Sequence, residues 1–151
     1  MQPGSGGGGV GGGKGGGAIR VCVVGDAVMD GLLTARGGYG IYPHNGGGSG
    51  GGIDLVCRTL QGGNSGLLRA EGGQGNFYGA NAGGGRIAVR YDPALQAAVD
   101  PTPQVRFSTF AYRVNDYLIE TWAYWGRMGT LYLPDTSLLT TSTTAAAVLD
   151  A

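Results

Sequence analysis

Ile19-Arg20-Val21-Cys22-Val23, Ile53-Asp54-Leu55-Val56-Cys57 and Ile87-Ala88-Val89-Arg90-Tyr91 are the three stretches whose reading decides the fold. Each places apolar residues at alternate positions, the period-two pattern of a strand with one buried face. A shift of 34 residues sets Ile19 over Ile53 and Ile87, Val21 over Leu55 and Val89, and Val23 over Cys57 and Tyr91. Arg20, Asp54 and Ala88 then face outward together. A shift of 35 aligns Cys22 with Cys57 but lays Arg20 over Leu55. A one-residue slip exchanges the buried and exposed faces of a strand, so the apolar pattern selects 34. On that register Cys22 points out and Cys57 points in, which leaves them unbridged, whereas the 35 register would stack them at about 4.8 Å, within disulfide range; their pairing stays open between the two.

Working outward, each strand follows a glycine run. Gly11 to Gly17 (GGGKGGG) returns as Gly46 to Gly52 (GGGSGGG), and Gly83-Gly84-Gly85 opens a third unit. A second shared block, Gly31-Leu32-Leu33-Thr34-Ala35-Arg36-Gly37-Gly38, returns 35 residues later as Gly66-Leu67-Leu68-Arg69-Ala70-Glu71-Gly72-Gly73. One residue of slack therefore lies in the turn between the two strands. Of 34 glycines, 32 precede residue 86. At about three times the usual share, glycine marks either a flexible linker or the turns and close contacts of a repeat. The apolar strands between the runs select the repeat.

A unit of this kind cannot bury its apolar face alone, so successive units stack, strand over equivalent strand. The expected fold is all-β: a glycine-rich parallel β-solenoid, or β-helix, with a C-terminal β-strand cap. Residues 1–91 form the repeat region (units about 11–45, 46–82 and a partial 83–91), 92–136 the closing strands, and 137–151 a Ser/Thr/Ala-rich tail. The glycine runs serve either as tight corners or as a polyproline-II-like face.

Gly50-Gly51-Gly52-Ile53-Asp54-Leu55, the Gly66–Gly73 block and Gly83-Gly84-Gly85-Arg86-Ile87-Ala88-Val89-Arg90-Tyr91 resemble glycine-rich repeat segments of very large secreted and cell-surface proteins of environmental bacteria. The resemblance runs over roughly residues 8 to 135, with Gly129-Thr130-Leu131-Tyr132-Leu133 similar to the strand that often closes such segments. It implies an extracellular or cell-surface location and a solenoid stalk, and it carries no catalytic residues across.

After the third strand, Asp92-Pro93 opens a short helical excursion that Asp100-Pro101 closes. Three strand-like runs follow: Val105 to Tyr112, Tyr117 to Tyr124 and Thr130 to Leu133, with Arg113 to Asp116 as a hairpin turn between the first two. The chain is formally neutral and only 13% charged, so it lacks the basic footprint of a nucleic-acid binder. It contains no apolar run of membrane-spanning length.

Motifs for chemistry are weak. Gly8 to Lys14 fits the start of a phosphate-binding loop, but Gly15 stands where Ser or Thr would hold magnesium. Val23-Val24-Gly25-Asp26-Ala27 resembles an esterase block with Ala27 in place of the nucleophilic serine. His44, the only histidine, sits in a turn. Two cysteines and one histidine make no zinc site, and Asp26 with Asp30 lacks the rest of a calcium loop. Asp54, Glu71 and Asp92, the acids a polysaccharide hydrolase or lyase would use, fall on different segments. No catalytic, cofactor or metal residues are assigned.

The one suggestive cluster is aromatic: Tyr112, Tyr117, Trp122, Tyr124, Trp125 and Tyr132 lie within 21 residues. These rings either fill the core beneath the cap or form a contact surface for sugar rings or protein. The expected function is a structural or adhesive unit, partnered by copies of itself or other surface-protein segments and assembling end to end into a fibre. The alternative is a carbohydrate-binding module that takes polysaccharide on these aromatics.

Overall fold

The computed structural model describes residues 1–111 and 126–139. The described chain is almost entirely strand and extended segment. Its strands are β1 (Ala18–Cys22), β2 (Ala27–Val28), β3 (Leu32–Thr34), β4 (Gly52–Val56), β5 (Leu60–Gln61), β6 (Leu67–Arg69), β7 (Arg86–Arg90), β8 (Arg106–Ser108) and β9 (Thr130–Tyr132). One four-residue helix, α1 (Pro93–Gln96), interrupts them. The fold is all-β.

Three parallel sheets arise because each pass of the chain lays its strands on those of the pass before. The first sheet runs β1-β4-β7-β9, the second β2-β5, and the third β3-β6-β8. Ile19 pairs with Ile53 and Ile53 with Ile87, the 34-residue register of the apolar pattern. Leu33 pairs with Leu68 at a shift of 35. Between them Ala27 pairs with Leu60 at a shift of only 33. The first pass thus spends one extra residue before its second strand. The second pass then spends two more at Gly62 to Gly66, where Gly62 takes a φ of 137° that side chains resist.

The interior ladders fill the space between the sheets. Ile53, Leu55, Leu60, Leu68, Ile87, Val89 and Phe107 are all buried, with Leu68 and Val89 at 0% exposure. Alanine fits the tight position beside the return segments: Ala35 and Ala70 are buried in the same core. The first pass is different. Ile19, Val21, Val23, Met29 and Leu33 are only partly buried, since among the described residues no strand lies beyond β1, β2 and β3.

Apart from the turn at Gly9–Gly12, closed by Gly12 N–H donating to Gly9 O (3.1 Å), the glycine runs are extended segments bonded to one another. Over residues 46–51, successive N–H groups donate to three different neighbours in rotation. Gly46 and Ser49 donate to Gly8 O and Ser5 O (3.0 and 2.9 Å). Gly47 and Gly50 donate to Ala80 O and Gly83 O (2.9 and 3.0 Å). Gly48 and Gly51 donate to Gly38 O and Ala35 O (3.0 and 2.8 Å). A repeat of three residues per turn with every bond made to another segment matches polyproline-II geometry, so residues 46–51 follow the extended-face alternative. The segments stack in layers. A middle layer holds residues 13–16, 46–51, 80–85 and 126–129, each leading toward a strand of the first sheet. A return layer holds 35–38 and 70–73, and residues 4–8 begin an outer layer.

Backbone packs on backbone here, which is why these positions are glycine. A Cβ at Gly13 would strike Gly38 O, and one at Gly48 would strike Lys14 O.

Residues beyond Tyr91 continue the same sheets. β8 pairs in parallel with β6, and β9 with β7, so they add rungs to the stack. The turn expected at 113–116 and the strand expected at 117–124 lie outside the described residues. The predicted helix is present, capped by the Asp92 carboxylate, which accepts from Ala94 N–H and Leu95 N–H (2.9 and 3.2 Å). Its buried Gln96 takes the place of a strand. The side-chain oxygen accepts from Leu60 N–H at 2.7 Å and the side-chain nitrogen donates to Leu60 O at 2.9 Å. One amide thus satisfies the outer edge of the second sheet, while β9 and β8 are the outermost strands of the first and third sheets among the described residues. At the end of the described chain Leu138 is buried in the core, and Tyr91 Oη donates to Asp135 at 2.6 Å.

Candidate functional site

The residues with chemistry are largely occupied by holding one pass to the next. Asp26 accepts two hydrogen bonds from the Arg58 guanidinium (2.9 and 2.7 Å) and one from Thr59 (2.8 Å). These bonds hold its carboxyl down at about 2. Asp30 accepts from Gly63 N–H at 2.8 Å. Asp54 lies between Arg20 (3.4 Å) and Arg90, whose guanidinium also donates to it. Glu71 accepts from Ser108 at 2.6 Å and faces Arg36 at 3.7 Å. Each pair joins residues 32 to 37 apart in sequence, one pass of the chain. Asp54, Glu71 and Asp92 do not meet; the first two bridge passes and the third caps α1. Among the described residues no group of three or more His, Cys, Asp or Glu side chains is placed to hold a metal. Both cysteines are free, Cys22 exposed and Cys57 buried, with burial pushing the Cys57 thiol up.

Of the six aromatics singled out in the sequence, Tyr112, Tyr117, Trp122, Tyr124 and Trp125 lie outside the described residues. Tyr132 lies on β9 and is 56% exposed.

A different aromatic surface stands where the return layer turns back into the middle layer. In the second pass the turn is Tyr42-Pro43-His44-Asn45, closed by Asn45 N–H donating to Tyr42 O (3.1 Å). Proline at the second position and a positive φ of 68° at His44 follow the type II pattern. In the third pass the turn is Asn76-Phe77-Tyr78-Gly79, closed by Gly79 N–H to Asn76 O (2.9 Å), and its positive φ of 54° falls on Phe77. A bulky aromatic in the left-handed region is an outlier that surrounding structure must enforce. His44 N–H donates to Asn76 O (3.0 Å) and Asn76 Nδ2 donates to Ile41 O (2.9 Å), tying the two turns together.

The outcome is a cluster of rings held in solvent. The His44 and Tyr78 rings stack at 5.4 Å and 17°, and Phe77 meets Tyr78 edge-on at 4.6 Å. Phe77 is 69% exposed, and Tyr39, Ile41, Tyr42 and Tyr78 are each at least half exposed. Beneath them, the Asn45 amide, turned toward Gly11 and Tyr42, accepts from their N–H groups at 3.1 and 3.2 Å. Sequence reading missed this surface because its rings come from two turns, 39–44 and 77–78, more than thirty residues apart. The available signal was the 34-residue shift, which places His44 over Tyr78.

No family model, curated protein or solved structure matches this chain. No helix among the described residues is long and apolar enough to cross a membrane.

Proposed function

We propose that this chain is a structural and adhesive unit of the extracellular or cell-surface kind, a β-solenoid backed by a glycine bundle, which associates with a second copy through its first pass. The carrying observation is the first-pass end of the stack. At the first pass β1, β2 and β3 have no strand on their outer edges among the described residues, and Ile19, Val21, Val23, Met29 and Leu33 there are only partly buried. Unpaired edges over an uncovered apolar face template another strand layer. At the other end Gln96 has already taken the edge of β5. Two copies meeting first pass to first pass form a closed pair; growth into a fibre further requires β8 and β9 to accept a partner. Every bridging acid also supports a load-bearing rather than a catalytic part, because its oxygens are held by the neighbouring pass.

Sedimentation velocity across a wide concentration range tests this. The unaltered chain associates, and Val21→Lys, which places a charge on the uncovered face, holds it monomeric. A chain that stays monomeric at high concentration contradicts the proposal.

A second function, carbohydrate binding, is favoured by one observation: the stacked His44–Tyr78 pair with Phe77 presents ring faces to solvent at the turn tips. Titrating a polysaccharide panel while following the Tyr78 and Phe77 ring resonances tests it. Shifts that Tyr78→Ala abolishes support it; no shifts across the panel remove it.

A further inference from the structure

The outer layer of the glycine bundle is incomplete. Residues 4–8 lie over the furrow between the middle-layer segments 13–16 and 46–51. They fill it with four bonds: Gly4 N–H to Gly16 O (2.8 Å), Gly7 N–H to Gly13 O (2.8 Å), Ser49 N–H to Ser5 O (2.9 Å) and Gly46 N–H to Gly8 O (3.0 Å). The furrow thus offers two carbonyls from one segment and two N–H groups from the next, each pair three residues apart.

One pass further along, the same atoms recur without a partner. Gly13 and Gly47 are equivalent, since each donates to the following pass (Gly46 O and Ala80 O), as are Gly16 and Gly50 (Ser49 O and Gly83 O). The counterparts of the four filled positions are therefore Gly47 O, Gly50 O, Ala80 N–H and Gly83 N–H. None of these four makes a hydrogen bond among the described residues. The Gly50 end of this row opens into a groove of about 710 Å³, floored by Ser49–Gly52 and Gly84–Arg86. The outer segment Met1–Ser5 forms one wall and Met128–Thr130 the other.

We infer that this groove is a binding site for a second extended, polyproline-II polypeptide with glycine at every third position. The occupant runs antiparallel to the middle layer, as residues 4–8 do. Glycine is required at its donating positions because a Cβ at Gly4 or Gly7 would strike Ser49 O or Gly46 O, and the floor repeats that spacing. The occupant is uncharged where it lies on Gly47, Gly50, Ala80 and Gly83, which offer it backbone dipoles, whereas Arg86 stands at the end of the floor. It comes from outside these 151 residues. Glycines after Gly85 are limited to Gly126 and Gly129, which already belong to the middle layer, and residues 112–125 and 140–151 contain none.

The probe is an end-blocked synthetic peptide with the sequence of residues 2–9, added to the full chain and followed by amide hydrogen exchange. Slowed exchange at Ala80 and Gly83, by tenfold or more at saturating peptide, is the expected result. A peptide with alanine at the positions of Gly4 and Gly7 gives no slowing. Ala80→Pro with Gly83→Pro removes both outward N–H groups while keeping an extended backbone, and it abolishes binding with the circular dichroism unchanged. Should that variant not fold, the alanine peptide remains the control. No slowing at millimolar peptide overturns the inference. So does slowing accompanied by faster exchange at Gly4 and Gly7, which would mean that the peptide only replaced the chain's own segment.

Discussion

The β-stack and the glycine bundle share one repeat and hold themselves together by opposite means. In the stack, side chains such as Leu55, Leu68 and Val89 fill the space between sheets, and the backbone bonds only within each sheet. In the bundle there is no space to fill: adjacent segments touch through peptide groups, and successive residues bond in rotation to three neighbours. Apolar burial drives the first, at about 25 cal/mol per Å². The second removes little apolar surface from water and rests on satisfied hydrogen bonds in close contact, each worth about 1 kcal/mol net. Ordering glycine is also costly in conformational entropy. The bundle is therefore stable only because the stack, in register with it, fixes where its segments run.

That contrast predicts where substitutions hurt. The largest effect belongs to the smallest change. Gly48→Ala places a methyl against Lys14 O, where backbone must move, and costs about 3 kcal/mol or more. Gly8→Ala, with open space around its Cβ, stays within about 0.5 kcal/mol. Chemical denaturation of both variants checks the pair; equal effects would mean that the bundle is loosely packed.

Next comes the stack. Leu68→Ala in the middle pass costs about 2–5 kcal/mol. Ile19→Ala in the half-covered first pass costs roughly half as much. Gln96→Leu, which strands both peptide groups of Leu60, costs about 1–3 kcal/mol although it adds apolar surface. If Gln96→Leu stabilises the chain in thermal melts, the side-chain cap is not what closes the second sheet.

Smaller effects come from pH. Asp26 ionises at about 2 in the fold against 3.8 ordinarily, so its contribution is complete above 3.8 and is lost as pH falls through 2. Asp26→Asn flattens the acid limb of stability between those values. Tyr91 runs the other way. Burial and the Asp135 hydrogen bond push its phenol up to about 12, so its contribution is complete below 10 and is lost as pH rises through 12. Tyr91→Phe removes that alkaline loss. The mildest probe is a thiol reagent, which modifies Cys22 at once and Cys57 only on unfolding. Equal rates would contradict the strand register.

The stack was legible in the sequence and the bundle was not, for a physical reason. Ile19, Ile53 and Ile87 announce their register because a strand with one buried face writes a period of two into side-chain type. A polyproline-II segment packed on all sides writes only glycine, so Gly46 to Gly51 reveal close contact without its geometry. The slack between strands was visible, but not its division into shifts of 33 and 35, because turn length is set by Gly62 and its neighbours rather than by apolar pattern. Partners of the acids were half legible. Arg20 and Asp54 share an outward face by register, whereas Arg58 reaches Asp26 across a turn that sequence alone does not place. The exposed ring cluster was hidden because His44 stands 34 residues before its stacking partner Tyr78. The denser aromatic run at 112–132 carries the stronger sequence signal, and of its six singled-out rings only Tyr132 lies among the described residues.

Residue-by-residue amide hydrogen exchange in the isolated chain tests the threefold bonding most directly. Gly46 through Gly51 lie almost wholly outside helix and sheet, yet all six amides should exchange slowly, while Ala80 and Gly83 exchange at nearly the rate of an open chain. Fast exchange throughout residues 46–51 would show that the glycine segments are not bonded to one another and would contradict this structure of the bundle.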